Sequence, residues 1–448
     1  MSNRVLWSLG ALCTVPFVMV LGNSMLVPVL PQIKESLRLT QLEVALLLTA
    51  FSLPAGMTIP FSGMLSDMVG RKKVMIPALL VYGLGGVGGG LAGIVGAGGK
   101  STYAMLLCAR VIQGMGAGGT YQLAMALAGD TFPRKERTRV LGILEASNGI
   151  GKVASPLLGA FLALISWQTP FFLYGALAIP AAVLVTLLVR EAPEHRRRAS
   201  DHQSDHQTDH QNEKSGSNVP KPGQTPSKTG GLRSMLKQYR SDFVRFFSRK
   251  KWSYVTSYAA GFVCLFILFG ILADFSDVLS AKYGMGSIER GLVIAVPVSL
   301  MALTSYASGV FLSKKPPDLL GLTVWGGLAL MAAGLALNGA LIGTDSAFRT
   351  PWWPEGVLIS IAASAAGLVL PALNTLITSS VATQERGLIT CLYGTSRFFG
   401  AALGPAFFGM LLEFGRSVML YAAAFICGGV SLLAAVLLDA GLLMGSEK

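Results

Sequence analysis

"GMLSDMVGRKK", residues 63–73, is the stretch on which the fold turns. Gly63 and Gly70 permit close packing and a tight turn, Asp67 can face a helix N-terminus, and Arg71-Lys72-Lys73 forms a basic run. On either side lie apolar runs, 44–65 and 74–97, each near the ~20 residues that cross a bilayer as a helix. A short polar hairpin between two such runs is a turn at a membrane surface, and its basic run marks the side it faces.

Outward from the hairpin the same pattern recurs along almost the whole chain. Of the 448 residues 52% are hydrophobic and only 13% charged, with mean hydropathy +0.57. Soluble domains carry about a quarter charged residues, so this balance belongs to lipid. Twelve spans are expected, with cores at 6–30, 44–65, 74–97, 103–128, 139–164, 169–189, 253–278, 291–312, 319–342, 356–380, 388–412 and 418–438. The first is too long for a secretory signal and runs on into a polar hairpin without a cleavage pattern, so it is expected to stay in the mature protein. Cys13, Cys108, Cys264, Cys391 and Cys427 are scattered through the spans, which indicates neither disulfides nor a metal site.

The net charge of +13 would suit a nucleic-acid binder, but its placement argues otherwise. With the N-terminus in the cytoplasm, the inner segments hold Arg4, Arg71 to Lys73, Arg134, Lys135, Arg137, Arg139, fourteen Lys/Arg between 190 and 251, Lys314, Lys315, Arg386 and Lys448. The outer segments hold only Lys34, Arg38, Lys100, Lys282, Arg290, Arg349 and Arg416. That asymmetry predicts a multi-pass protein of the cell membrane with both termini in the cytoplasm and no nucleic-acid partner.

The second half repeats the first. "KESLRLTQLE" (34–43) and "SAKYGMGSIE" (280–289) follow a span at the same place, and a shift of 246 lays Ser62-Gly63 on Ser308-Gly309. "ERTRVLGILEASNGIGKVASPLLG" (136–159) matches "ERGLITCLYGTSRFFGAALGPAFF" (385–408) at a shift of 249, pairing Gly151 with Gly400 and Pro156 with Pro405. Two matches at nearly one offset argue for duplicated six-helix bundles, 1–190 and 252–448, joined by a linker over 191–251. The linker contains "DHQSDHQTDHQNEK" and every histidine of the chain, His195, His202, His206 and His210. A polar, Pro- and Ser-rich tract of this kind reads as a connector rather than a metal site. A basic amphipathic segment after it suits the anionic inner leaflet.

The hairpin string resembles the signature loop of the major facilitator superfamily. Two weaker signatures stand in the expected order: "RVIQGMGAGG" (110–119) resembles the Arg-x-x-Gln-Gly motif of the fourth span, and "GKVASPLLGA" (151–160) the fifth-span antiporter motif. The latter departs from the family pattern at Lys152, Ser155 and Ala160, whereas the second-half copy "GAALGPAFFG" (400–409) keeps Gly-Pro. The resemblance implies an all-α fold of two pseudo-symmetric six-helix bundles that transports by alternating access and is not an enzyme. Within the family it is closest in pattern to the drug:proton antiporter branch. It also implies a conformational switch in which Asp67, beside Gly70, faces the start of the eleventh span while Arg71 meets Asp130 at the end of the fourth.

Ionisable groups inside the spans point to the cargo path. A charge near the bilayer centre costs about 2.5–3.5 kcal/mol on insertion scales, so such groups face a cavity or a partner. Arg110, Glu145, Lys152 and Arg397 qualify, with Asp274 and Asp277 near the outer end of the seventh span. Glu145 lies roughly 12 Å in from Arg137 and Lys152 roughly 22 Å, by helical rise. Glu145 is the only deep acid of the first half and is nominated as the proton-coupling site, with Asp274 second; a Glu145–Arg397 pair across the axis is an attractive possibility. Asn23, Arg110, Gln113, Gln122, Asn148, Lys152, Asn374 and Arg397 are expected to line the cavity, on spans that do so in the family.

Few polar groups among many Met, Phe and Leu suit an amphipathic cargo better than a sugar or phosphate. The leading expectation is therefore proton-coupled efflux of lipophilic, cationic or zwitterionic small molecules. Lys152 and Arg397 leave open an exporter of an anionic metabolite, siderophore or lipid-headgroup compound, and a transport-inactive membrane sensor is a third reading. No nucleotide-binding loop is present, so the proton gradient is the expected driving force, with no cofactor and no metal. Protons, a small-molecule cargo and membrane lipids are the expected partners of a monomer.

Overall fold

The computed structural model describes residues 3–96, 98–132, 134–189, 251–312, 315–343, 351–380 and 386–444. The linker with its histidines lies outside the described residues, as does the side chain of Asp67. Every regular element described is helical: α1 (Asn3–Ser24), α2 (Leu30–Leu37), α3 (Gln41–Val69), α4 (Arg71–Val95), α5 (Gly99–Ala117), α6 (Thr120–Thr131), α7 (Arg134–Leu162) and α8 (Thr169–Leu188) in the first half. The second holds α9 (Lys251–Ala281), α10 (Ser287–Leu312), α11 (Pro317–Gly343), α12 (Trp353–Ser379), α13 (Arg386–Leu411), α14 (Arg416–Leu437) and a last turn α15 (Ala440–Met444). With α1–α2 and α5–α6 each crossing as one unit, these make twelve spans in two bundles.

Ten spans are long and apolar enough to cross a bilayer by length and composition alone. The remaining two, α5–α6 and α7, are the ones that carry Arg110, Gln113, Tyr121, Gln122, Glu145 and Lys152. Their polarity is what lowers them, and each such group needs a cavity or a partner at that depth.

Local chemistry sets the helix ends. Thr40 and Glu43 form a reciprocal cap at the start of α3, the Thr40 hydroxyl accepting from the Glu43 backbone N–H (3.2 Å) and the Glu43 carboxylate accepting from the Thr40 N–H (2.8 Å). Gly70 ends the same helix at φ 108°, a conformation L side chains rarely adopt, so the turn of the 63–73 hairpin needs glycine. The Gly-rich run of α4 stays helical because its neighbours fill the space: Gly86 packs on Tyr174, Gly89 on Phe171 and Gly90 on Phe172 of α8.

The duplication is visible bond by bond. Thr58 Oγ1 donates to Pro54 O (2.9 Å) and Ala55 O (3.1 Å) in α3 and reaches Met115 O (3.4 Å) in α5. Its counterpart Thr304 donates to Leu300 O (2.9 Å), Met301 O (3.1 Å) and Ser364 O (3.1 Å). Ser62 Oγ donates to Gly118 O at 2.9 Å, and Ser308 Oγ to Leu368 O at 2.9 Å. The antiporter-motif glycines repeat likewise. A Cβ on Gly151 or Gly159 would press on Phe17 O or Met25 O of α1, and one on Gly400 or Gly404 on Phe262 O or Phe266 O of α9.

The halves meet along two seams. At the first, α3 lies on α13 from face to face. Leu42 stands against Gly409, Thr49 Oγ1 donates to Ala402 O, Thr395 Oγ1 donates to Gly56 O (3.1 Å), and Gly63 stands against Cys391. At the second, α7 meets α10 toward the face opposite the chain ends, where Gly291 packs on Pro156 O and Ala160. That distal face is further sealed by Lys34 Nζ to Asp277 Oδ1 (2.8 Å), Ser276 Oγ to Val27 O (2.8 Å), and Arg290, whose guanidinium donates to Pro28 O (3.3 Å).

Candidate functional site

One face of α7 carries Gly142, Glu145, Gly149 and Lys152 in succession, pointing between the bundles. A Cβ at Gly142 or Gly149 would meet nothing within 4 Å, whereas one at Gly159, nearer the distal end, would run into backbone. The space beside this stripe is therefore open at the level of Glu145 and closes at the α7–α10 seam. Gln122 of α6 reaches across toward Gly394 of α13, placing α6, α7 and α13 around the same hollow.

The charges in the hollow do not neutralise one another. The Glu145 carboxylate accepts a short hydrogen bond from the Tyr121 hydroxyl, and Asn148 lies within hydrogen-bonding reach of that hydroxyl. Glu145 is exposed and makes no ion pair among the described residues. The Glu145–Arg397 pair is thus not formed: Tyr121 occupies the carboxylate, and Arg397 lies instead over the Tyr393 ring, 5.5 Å from its centroid. The Arg397 Nε is buried without an acceptor. Lys152 stands within electrostatic range of both Arg397 and Glu145 and is hydrogen-bonded to neither. Two cations and one carboxylate thus share a low-dielectric space, a net positive site. The Tyr393 ring beneath Arg397 is itself buried in the core of the second bundle, beside Tyr258 (6.1 Å between centroids). Asn374, half-buried in α12, bears its side chain on the same bundle.

Arg110, Asn23 and Gln113 are corrected by the structure: they do not line the hollow. Arg110 is wholly buried, donating from Nε to Leu47 O (3.1 Å), from Nη1 to Gln113 Oε1 (2.7 Å) and from Nη2 to Asn23 Oδ1 (2.7 Å), with its plane over Phe51 (4.4 Å). The Asn23 amide in turn donates to Ser52 Oγ. This network ties α1, α3 and α5 inside the first bundle. Depth along a helix was right for these residues; azimuth was not readable.

At the face bearing the chain ends, Arg71 Nε donates to Asp130 Oδ2 at 2.6 Å, the contact that the family resemblance implied. The adjacent Lys72 Nζ caps the end of α8, donating to Thr186 O and Val189 O at 2.7 Å each. At the distal face Asp274, 3% exposed, is held by Arg416 (2.8 Å), which also binds Glu355. A carboxylate fixed in this way ties α9 to α12 and α14 within the second bundle, so Asp274 does not join Glu145 in the hollow. Glu355, Arg290 and Arg416 were not singled out as structural groups from sequence. Their only signal is charge at the first turn of an apolar run, where loop and helix look alike.

A model of the Major Facilitator Superfamily matches residues 12–405. The chain belongs to this superfamily. The transporter is 32% identical over 429 residues to the bacillibactin exporter of Bacillus subtilis (strain 168), covering 94% of both chains. It is 25% identical over 422 residues to the multidrug efflux protein YfmO of the same organism, covering 92% of this chain and 87% of that one. Among solved structures, the partially occluded inward-open xylose transporter XylE from E. coli matches with TM-score 0.68 at 13% identity, covering 97% of each chain. A bacterial homolog of the lysosomal transporter Spinster matches with TM-score 0.67 at 18% identity, covering 100% of this chain and 97% of that one. These structural likenesses speak for the fold.

Proposed function

We propose that this major facilitator transporter exports an anionic, aromatic amphipath of the siderophore kind across the cell membrane in exchange for protons, with both chain ends in the cytoplasm. The observation that carries the reading is the unneutralised pair Lys152 and Arg397 beside a single acid. Two cations beside one carboxylate in a lipid-embedded hollow leave a positive charge for an anion to balance, since an unbalanced charge is costly there. From sequence, lipophilic cationic or zwitterionic cargo comes first and an anionic compound second; the two cations beside one acid and the likeness to a bacillibactin exporter favour the second. Glu145 serves as the proton site: exposed to the hollow and in no ion pair among the described residues, it can load a proton as cargo leaves and release it when the halves re-orient.

The hollow opens toward the face of the chain ends and is sealed distally, the arrangement of a carrier waiting for cargo from the cytoplasm. Proteoliposomes loaded with a pH-sensitive dye test the whole reading. Addition of an anionic aromatic probe such as carboxyfluorescein should drive proton movement, and ethidium should not. Glu145→Gln should abolish the proton signal while membrane insertion is kept. A response to the cation alone would return the protein to the drug-efflux reading, and an unchanged signal in the variant would remove Glu145 from the mechanism.

A further inference from the structure

The fourth span is two helices. Between α5 and α6, Gly119 takes φ +87°, and a Cβ on Gly118 would collide with Ala55 O and Thr58. The Ser62 hydroxyl of α3 satisfies the Gly118 carbonyl that the break leaves free. The break isolates α6 as a rod of 12 residues, about 18 Å long. Leu123, Ala124, Leu127 and Ala128 bury one side of it in a core shared with α1, α4 and α7.

Each end of this rod holds a charge. At its start the Tyr121 hydroxyl donates to Glu145; at its end, about 14 Å on, Asp130 accepts from Arg71 of the 63–73 hairpin at 2.6 Å. We propose that Tyr121 is a positioning residue for Glu145, and that α6 carries the protonation state of that carboxylate to the Arg71–Asp130 latch. The inference rests on Glu145 being the proton site.

The physical step is a change in bond strength. An ionised Glu145 accepts a charge-assisted hydrogen bond, roughly twice as strong as the neutral bond left after protonation. Lys152 of the same helix stands within electrostatic range of Glu145, while Asn148 of α7 and Arg397 of α13 bear on the Tyr121 hydroxyl that donates to it. Tyr121 belongs to α6, the helix whose last turn carries Asp130 of the latch. Protonation therefore slackens the start of α6 against α7, the glycine pair lets the rod swing, and Asp130 shifts against Arg71. Linkage requires the reverse as well: breaking the latch must change how readily Glu145 takes up its proton.

The full chain in lipid nanodiscs tests this by hydrogen exchange at residues 66–72 across about pH 4 to 8, from the ordinary carboxylate range to neutrality. The wild type should show hairpin exchange that changes about tenfold with pH, the effect of a ~1.4 kcal/mol coupling. Glu145→Gln and Tyr121→Phe should each flatten that dependence, and Asp130→Asn should shift the pH profile of proton-driven transport. Flattening by Glu145→Gln but not by Tyr121→Phe would overturn the role of α6 and leave Glu145 as proton site. Undiminished pH dependence in Glu145→Gln would overturn both. Should Tyr121→Phe fail to fold, an unshifted transport profile in Asp130→Asn overturns the rod on its own.

Discussion

Arg110 and Arg397 carry the same side chain and live by different rules. The first has three acceptors and an aromatic face inside one bundle, the second an orphan Nε and a ring beneath it. Removing Arg110 leaves Asn23, Gln113 and Leu47 O without their donor, so Arg110→Ala should lower stability by at least about 2 kcal/mol, read as the midpoint of thermal unfolding in detergent. Removing Arg397 leaves no such vacancy. Arg397→Ala should keep its melting temperature and instead weaken binding of an anionic probe by about tenfold or more, measured by calorimetry on the purified transporter. Equal losses of stability in the two variants would contradict this division. Sequence placed both residues at membrane depth because depth follows from counting along a helix. It did not separate them, because which way a side chain points depends on neighbours contributed by other spans. The Glu145–Arg397 pair failed for the same reason: a tyrosine on a third helix, invisible to spacing, had taken the carboxylate.

At the scale of elements, far more was legible. The apolar runs, the hairpin and the basic residues that flank it all follow from burial and backbone satisfaction, which act along one segment at a time. The duplication was also readable, since the Ser62-Gly63 and Ser308-Gly309 match reflects hydroxyls doing the same work in both bundles. Because the two bonds are copies, Ser62→Ala and Ser308→Ala should cost similar amounts, about 1 kcal/mol each, and the double variant their sum. Urea or thermal unfolding of the three variants reads this directly. A large inequality between the singles would mean that the second bundle keeps the geometry of the bond without its energetic role. What sequence could not show in α5–α6 was the break, because a Gly-Gly pair within a span can also be plain close packing.

For the whole molecule the balance between conformations is set by latches at opposite faces. Lys34–Asp277 closes the distal face and Arg71–Asp130 ties the hairpin at the other. Both pairs are partly exposed, so each contributes only about 0.2–1 kcal/mol. Two populations separated by such small terms are easily moved. Asp277→Asn should raise the distally open fraction by up to about fivefold, measured as spin-label distances between α2 and α9. An unchanged distribution would assign the closure to Arg290 and Ser276 alone.

The seam between α3 and α13 bears on how such motion is distributed. From Leu42 to Gly63 it spans about 32 Å, the thickness of the hydrocarbon layer, and its close approaches set glycines and hydroxyls against the facing helix, Gly56 against Phe398 and Phe399 among them. A line of contact that long works as an axle. Displacement near an axle is small and grows with the radius, so the residues that travel farthest are those remote from it, while Thr49 and Thr395 barely stir. Wear, in evolutionary terms, would then be tolerated at the rim and punished at the shaft.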